Sequence, residues 1–125
     1  MKALLFIVLL LTSNPSHGNS QPPSYTARVT ATAYCLKGKM TNGERTHHGC
    51  IALSRDLAKA LGLKKGKGTY DYRFGAIIEL KGVGKFVFKD LMPPQWRLRV
   101  DVWQPSVKHC HVFGVKRCDL RLVKR

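Results

Sequence analysis

Acidic side chains are scarce in this sequence. Seven Asp and Glu stand among 125 residues, against 22 Lys and Arg, for a formal charge of +15. Such a surplus selects polyanionic partners, whether wall polymer, lipid headgroups or nucleic acid, and charge alone does not choose among them. Long apolar runs are missing as well. The sustained one, Ala3 to Leu11, is about half of the roughly 20 residues that a membrane-spanning helix requires. Internal repeats and low-complexity tracts are absent. Tryptophan occurs twice and cysteine four times, too few for a disulfide-packed miniature scaffold.

The short apolar run follows Met1-Lys2 and precedes the polar "TSNPSHG", which is the layout of a secretory signal peptide. Ser16 and Gly18 supply small residues for cleavage after Gly18, with Ser20 as the alternative. No cysteine follows the run directly, so a lipid anchor is not expected. The expected mature chain is exported to the periplasm or the outside, and loses only Lys2 from its cations, leaving +14. Residues 1–18 are the expected leader, 19–25 ("NSQPPSY") a flexible lead-in, and 26–125 a single domain large enough for one core. A monomer is expected.

In an oxidising compartment an even cysteine count points to disulfides, and Cys35, Cys50, Cys110 and Cys118 allow three connectivities. Closeness in sequence favours Cys35–Cys50 with Cys110–Cys118. A metal reading competes, because "THHGC" and "HCH" gather His47, His48, Cys50, His109, Cys110 and His111. The spacing lacks the tight C-x(2–4)-C or H-x(3–5)-H register of zinc sites, so no metal is assigned.

Periodicity gives a mainly β chain. "ARVTATAYC" alternates Val29, Ala31, Ala33 and Cys35 against Thr30, Thr32 and Tyr34, predicting a half-buried strand over about 27–35. "LKGKMTNGERTHHG" reads as a loop with a tight turn at Asn42-Gly43. "CIAL" is a short strand, after which Ser54 is placed to cap a brief helix with Asp56 in its first turn. The aromatic, glycine-broken stretch "GTYDYRFGAIIELKGVGKFVFK" predicts two or three antiparallel strands. "RLRVDVW" sets Leu98, Val100 and Val102 inward and Arg97, Arg99, Asp101 and Trp103 outward. A second short helix runs from Pro105-Ser106 to Gly114, and the last strand directs Cys118, Leu120 and Leu122 one way. Six or seven strands with two short helices suggest a small β-barrel.

Two of the rare acids, Asp90 and Asp101, stand eleven positions apart in "KDLMPPQWRLRVDVW". Period 2 along "GKFVFKD" puts Asp90 with Phe86 and Phe88, where desolvation would favour its neutral acid; a nearby Asp101 would add like-charge repulsion. That is the arrangement of a general acid working near neutrality. The competing reading is a structural ion pair, because Arg97 and Arg99 share the Asp101 face. Trp96 and Trp103 flank the same segment and suit either sugar stacking or core packing, with Trp103 on the Asp101 side. Tyr34 and Thr32 occupy the polar face of the first strand.

The segments "VTATAYCLKGKMTNG", "GCIALSRDL", "KFVFKDLMPPQWRLRVDVW" and "HVFGVKRCDLRLV", spanning residues 28–123, together resemble the three-aspartate (3D) domain. The resemblance implies a six-stranded double-psi β-barrel, as in membrane-bound lytic transglycosylase A, rare lipoprotein A and the expansins. It also implies non-hydrolytic cleavage of the β-1,4 bond between N-acetylmuramic acid and N-acetylglucosamine in peptidoglycan, without cofactor. Asp101 maps onto the catalytic acid and Asp90 onto its partner, with Tyr34, Thr32, Trp103, Arg99 and Asp56 as substrate-binding candidates. Two departures stand out. Ser54 occupies the place of the family's first aspartate, with Asp56 two residues on, and Leu91-Met92-Pro93 replaces the usual Thr-Gly-Gly. The alternative is therefore an expansin-like module that binds peptidoglycan or another anionic wall polymer without cutting it. A nucleic-acid binder or nuclease ranks lower, because it rests on charge alone.

Overall fold

The alternation of the first apolar segment is realised as a strand, β1 (Thr26–Tyr34), in which Ala27, Val29 and Ala31 are buried while Thr30 and Thr32 lie partly open on the other face. The computed structural model describes residues 26–125, so the expected leader at 1–18 and the lead-in at 19–25 lie outside the described residues. After β1 come β2 (Cys50–Leu53), α1 (Arg55–Ala60), β3 (Ile77–Leu80), β4 (Gly84–Leu91), β5 (Arg99–Trp103), α2 (Val107–Phe113) and β6 (Lys116–Lys124). The aromatic stretch thus yields two strands. Its first part, around Tyr70, is loop with an isolated bridge between Lys64 and Tyr72.

The six strands close into a barrel in the order β1-β5-β2-β4-β3-β6. β1 pairs with β5, and β2 with β4, in parallel; the other four pairings are antiparallel. A parallel pair cannot be joined by a hairpin and needs a crossover. Here β2 reaches β4 through α1 and β3, while β1 reaches β5 across everything between. The result is a mainly β, six-stranded double-psi β-barrel with two short helices. Among the described residues closure leaves no sheet edge open to pair with another chain.

The lumen is filled by inward residues from every strand: Val29, Ile51, Leu53, Ile78, Leu80, Phe88, Val100, Val102 and Leu120 are all fully buried. Leu57, Ala58 and Leu61 from α1 and the residue after it join the same core. Phe88 anchors an aromatic group, 5.0 Å centroid to centroid from Phe74 and edge-on to Tyr72 at 6.4 Å.

The start of β5 departs from the sequence reading. Leu98 is exposed rather than inward, because its backbone turns into the left-handed region at φ 46°, a conformation costing a branched residue about 1–2 kcal/mol. Three contacts hold it there. The Leu98 N–H donates to the Asp56 carboxylate at 3.0 and 3.3 Å, the Leu98 carbonyl accepts from Thr30 N–H at 3.1 Å, and the next N–H, of Arg99, donates to Ser54 Oγ at 3.1 Å. Ser54 stands at the N-cap of α1 but makes no side-chain cap. Fully buried, it spends its hydroxyl on β5 instead.

The disulfide pairing favoured by closeness in sequence is not formed, and all four cysteines are free thiols. Cys118 points into the main core opposite Val29, whereas Cys50 belongs to a separate small cluster and donates its thiol hydrogen to the His47 carbonyl. Barrel strands place neighbours in sequence on different walls. Cys110 on α2 therefore sits beside Cys35 and away from Cys118.

Truncation of Phe88 to Ala should cost about 3–5 kcal/mol, since the rings around it cannot collapse into the gap. Urea unfolding would show a midpoint lowered accordingly at unchanged slope, and a loss below 1 kcal/mol would contradict this packing.

Candidate active site

Backbone register assembles a line of polar side chains on the outside of the barrel. Thr32 on β1 lies beside Asp101 on β5, Asp101 beside Ala52 on β2, and Ala52 beside Asp90 on β4. Asp101 faces outward because Val100 and Val102 on either side of it are fully buried. The period-2 extrapolation that put Asp90 with Phe88 is overturned by a β-bulge. Between Ile51–Phe88 and Ala52–Asp90 the register shifts by one, leaving Lys89 as the extra residue. A bulge of this kind reverses the facing of everything beyond it. Asp90 thus leaves the aromatic side and joins Asp101, two strand spacings away or roughly 10 Å between backbones.

Loop 36–49 folds over one end of this line. Met40, Cys50 and Trp103 form a second small core there, with Tyr34 packed against it. Trp103 is buried to 8% exposure and its indole N–H donates to the Leu36 carbonyl at 3.0 Å, so it backs the site instead of offering a stacking surface. Trp96 remains 38% exposed.

Asp90 is held from several sides. Its Oδ1 accepts from Thr41 N–H at 2.9 Å, Thr41 Oγ1 at 2.6 Å and Leu91 N–H at 2.9 Å, while Oδ2 accepts from the Tyr34 hydroxyl at 3.4 Å. All four donate to it, the arrangement that suits a carboxylate. Burial pushes the Tyr34 phenol far up, with Cys50, Asp90 and Asp101 adding to the rise, so it stays a hydrogen donor.

Among the described residues Asp101 has one side-chain hydrogen-bond partner, the Thr32 hydroxyl at 3.0 Å. Burial raises its carboxyl above the ordinary range and the charge of Asp90 adds to that, against the opposing pull of the Thr32 hydrogen bond and Arg99. Among the described residues no guanidinium forms an ion pair with it. The ion pairs of Asp and Glu with Lys and Arg among the described residues are Arg28–Asp119, Lys89–Glu44 and Arg121–Glu79. Arg99 instead stacks its guanidinium over the Trp96 ring, 4.1 Å from the centroid, and its buried Nε has no partner among the described residues.

Asp56 is not in the line. Burial disfavours its charge, but hydrogen bonds from Ser54 and the Leu98 and Leu57 N–H groups, with Arg97 nearby, bring its carboxyl below the usual range. It fixes the approach to β5. The His and Cys cluster disperses likewise: His47 Nδ1 lies 2.8 Å from the His48 carbonyl, His109 Nδ1 2.7 Å from Ser106 Oγ, and no three metal-type ligands converge among the described residues.

Beside Asp90 a cleft of about 280 Å³ opens, lined by Lys39, Met40, Thr41, Tyr70 and Asp90. Tyr70 is 62% exposed, with the Arg55 guanidinium 5.7 Å from its ring centroid. Sequence reasoning missed Thr41 and Tyr70. Thr41 carried a faint signal, standing next to the Asn42-Gly43 turn that brings it over β4; Tyr70 carried none once its stretch read as strand.

No protein-family model matches the chain, and no curated protein does. Among solved structures, the Streptomyces papain inhibitor (SPI) is similar, at 16% identity and a TM-score of 0.59, covering 82% of this chain and 98% of that one. At that identity the likeness shows the barrel fold alone.

The raised Asp101 carboxyl has a signature in stability. It keeps its proton in the folded chain while its unfolded counterpart ionises near pH 4, so raising the pH from there through the folded-state value favours unfolding. Across that interval wild type should lose stability relative to Asp101→Asn, measured by urea unfolding at stepped pH; parallel profiles would refute it.

Proposed function

We propose that the Asp101–Asp90 face cleaves a glycan, in the manner of a peptidoglycan lytic transglycosylase acting on N-acetylmuramic acid–N-acetylglucosamine β-1,4 bonds after export. The observation carrying this reading is the pairing of two outward carboxyls by the β4 bulge, one held by donors and the other free of guanidinium partners. Asp101, whose burial favours the protonated acid, protonates the glycosidic oxygen as positive charge develops at the anomeric carbon. As a carboxylate it then takes the proton of the C6 hydroxyl, whose oxygen closes the 1,6-anhydro ring. Thr32 orients the carboxyl. Asp90, fixed by Thr41 and Tyr34, stabilises the developing positive charge. Lys39 and Tyr70 border the cleft through which the sugar reaches this face.

A second reading, a wall-binding module without catalysis, is favoured by one observation: the open cleft is lined by Asp90 but not by Asp101. The two separate by products. Residues 19–125 incubated with peptidoglycan sacculi should release anhydromuropeptides detectable by mass spectrometry, and Asp101→Asn should cut the rate by about 10²–10⁴-fold while leaving sacculus binding intact. Wild-type binding with no anhydro product, where a known transglycosylase produces it, would leave only the binding module.

A further inference from the structure

In a chain with 22 Lys and Arg most cations carry no message, but one group is set apart by shape. The hairpin tip that brings Thr41 onto Asp90 straddles β4. Thr41 and Asp90 border the first cleft; the adjacent Asn42 and Lys89, joined by Asn42 N–H to the Lys89 carbonyl at 3.2 Å, border a second. This second cleft is larger, about 540 Å³, and Lys65, Arg73, Lys89 and Arg125 line it against one acid, Glu44.

That acid is already neutralised. Lys89 Nζ lies 2.6 Å from Glu44 Oε1, and its hydrogen bond holds the Glu44 carboxyl below the usual range. Arg125 donates to the Leu61 and Gly62 carbonyls, neutral acceptors that position its charge without cancelling it. Lys65 and Arg73 are exposed, with no side-chain hydrogen bond or ion pair among the described residues. Their backbones are nonetheless fixed: Arg73 N–H donates to the Leu63 carbonyl at 2.7 Å and Lys65 N–H to the Asp71 carbonyl at 3.0 Å. Lys64 Nζ braces the same loop through the Gly66 and Gly68 carbonyls. Three cations without an ion pair among the described residues, gathered in one walled concavity, focus a positive field at a place rigid enough to select.

We infer that this cleft is a subsite for the carboxylate or phosphate groups of the wall polymer whose glycan meets Asp101, so that an anionic glycan is gripped at two adjoining points. The inference rests on the glycan-cleaving reading for the second point. A neutral glycan of the same length would engage only the aspartate face.

The test compares Lys65→Gln/Arg73→Gln with Lys81→Gln/Lys85→Gln, an equal charge loss at exposed positions of the β3–β4 hairpin. Sacculus affinity is measured across sodium chloride concentrations. The cleft pair should weaken binding about tenfold and flatten the log–log salt dependence by about one to two, whereas the hairpin pair should shift affinity by less than about twofold. Sacculi stripped of phosphate polymer by hydrofluoric acid assign the anion: a difference that vanishes marks phosphate, one that persists marks carboxylate. Equal losses from both pairs, or a loss confined to duplex DNA with sacculus binding unchanged, would overturn the subsite. Product release is scored separately. Selective binding loss without any anhydro product sinks the enzyme and spares the cleft; product formation with unchanged KM and affinity in the cleft pair does the reverse.

Discussion

A single extra residue in β4 governs what this barrel can do. Phe86 and Phe88 pack toward the lumen, and strict alternation would carry Asp90 after them; Lys89 absorbs one register step against β2, and Asp90 comes out beside Asp101. Leu91 then returns to the core. The bulge satisfies two demands at once, keeping the apolar series of β4 inside while moving one carboxyl to the outer face. Lys89 itself, turned out of the ladder, is free to pair with Glu44 and border the basic cleft.

Electrostatics on that face depend on how the few acids are employed. Glu44, Glu79 and Asp119 pair with Lys89, Arg121 and Arg28 near the surface, where such pairs contribute little to stability. Asp56 and Asp90 are committed to backbone and hydroxyl donors. Asp101 is left half-buried beside a like charge, a condition in which burial first, then that neighbour, favours its protonated form against the single Thr32 hydrogen bond. Arg99 could have removed that condition. Its stacking on Trp96, with the Ser54 contacts at its backbone, takes the guanidinium out of pairing range.

The sequence was legible wherever one face of a strand is buried. Val29 and Ala31, Val100 and Val102, and Cys118, Leu120 and Leu122 all stand where alternation puts them, and six strands with two helices were expected and found. Thr32 bonds Asp101 and Tyr34 bonds Asp90 from the polar face that alternation gave the first strand, whereas the same alternation assigned Asp90 the wrong face. The failures share a cause: each depends on a partner distant in sequence. The bulge answers to β2, the left-handed turn at Leu98 to Asp56, and the free thiols to barrel walls that part neighbouring cysteines. Trp103 went inside because loop 36–49, polar and glycine-rich in sequence, supplies Met40 and a carbonyl to cover it.

The strand bearing Asp101 enters the barrel through the bend at Leu98, and side chains of α1 and its N-cap latch that bend. The helix has barely two turns, too few to persist undocked. The placement of Asp101 and the docking of α1 therefore pass through one checkpoint. Any half-open form in which the helix has lifted away lets the acid-bearing strand drift out of line with Asp90, however much of the remaining sheet endures.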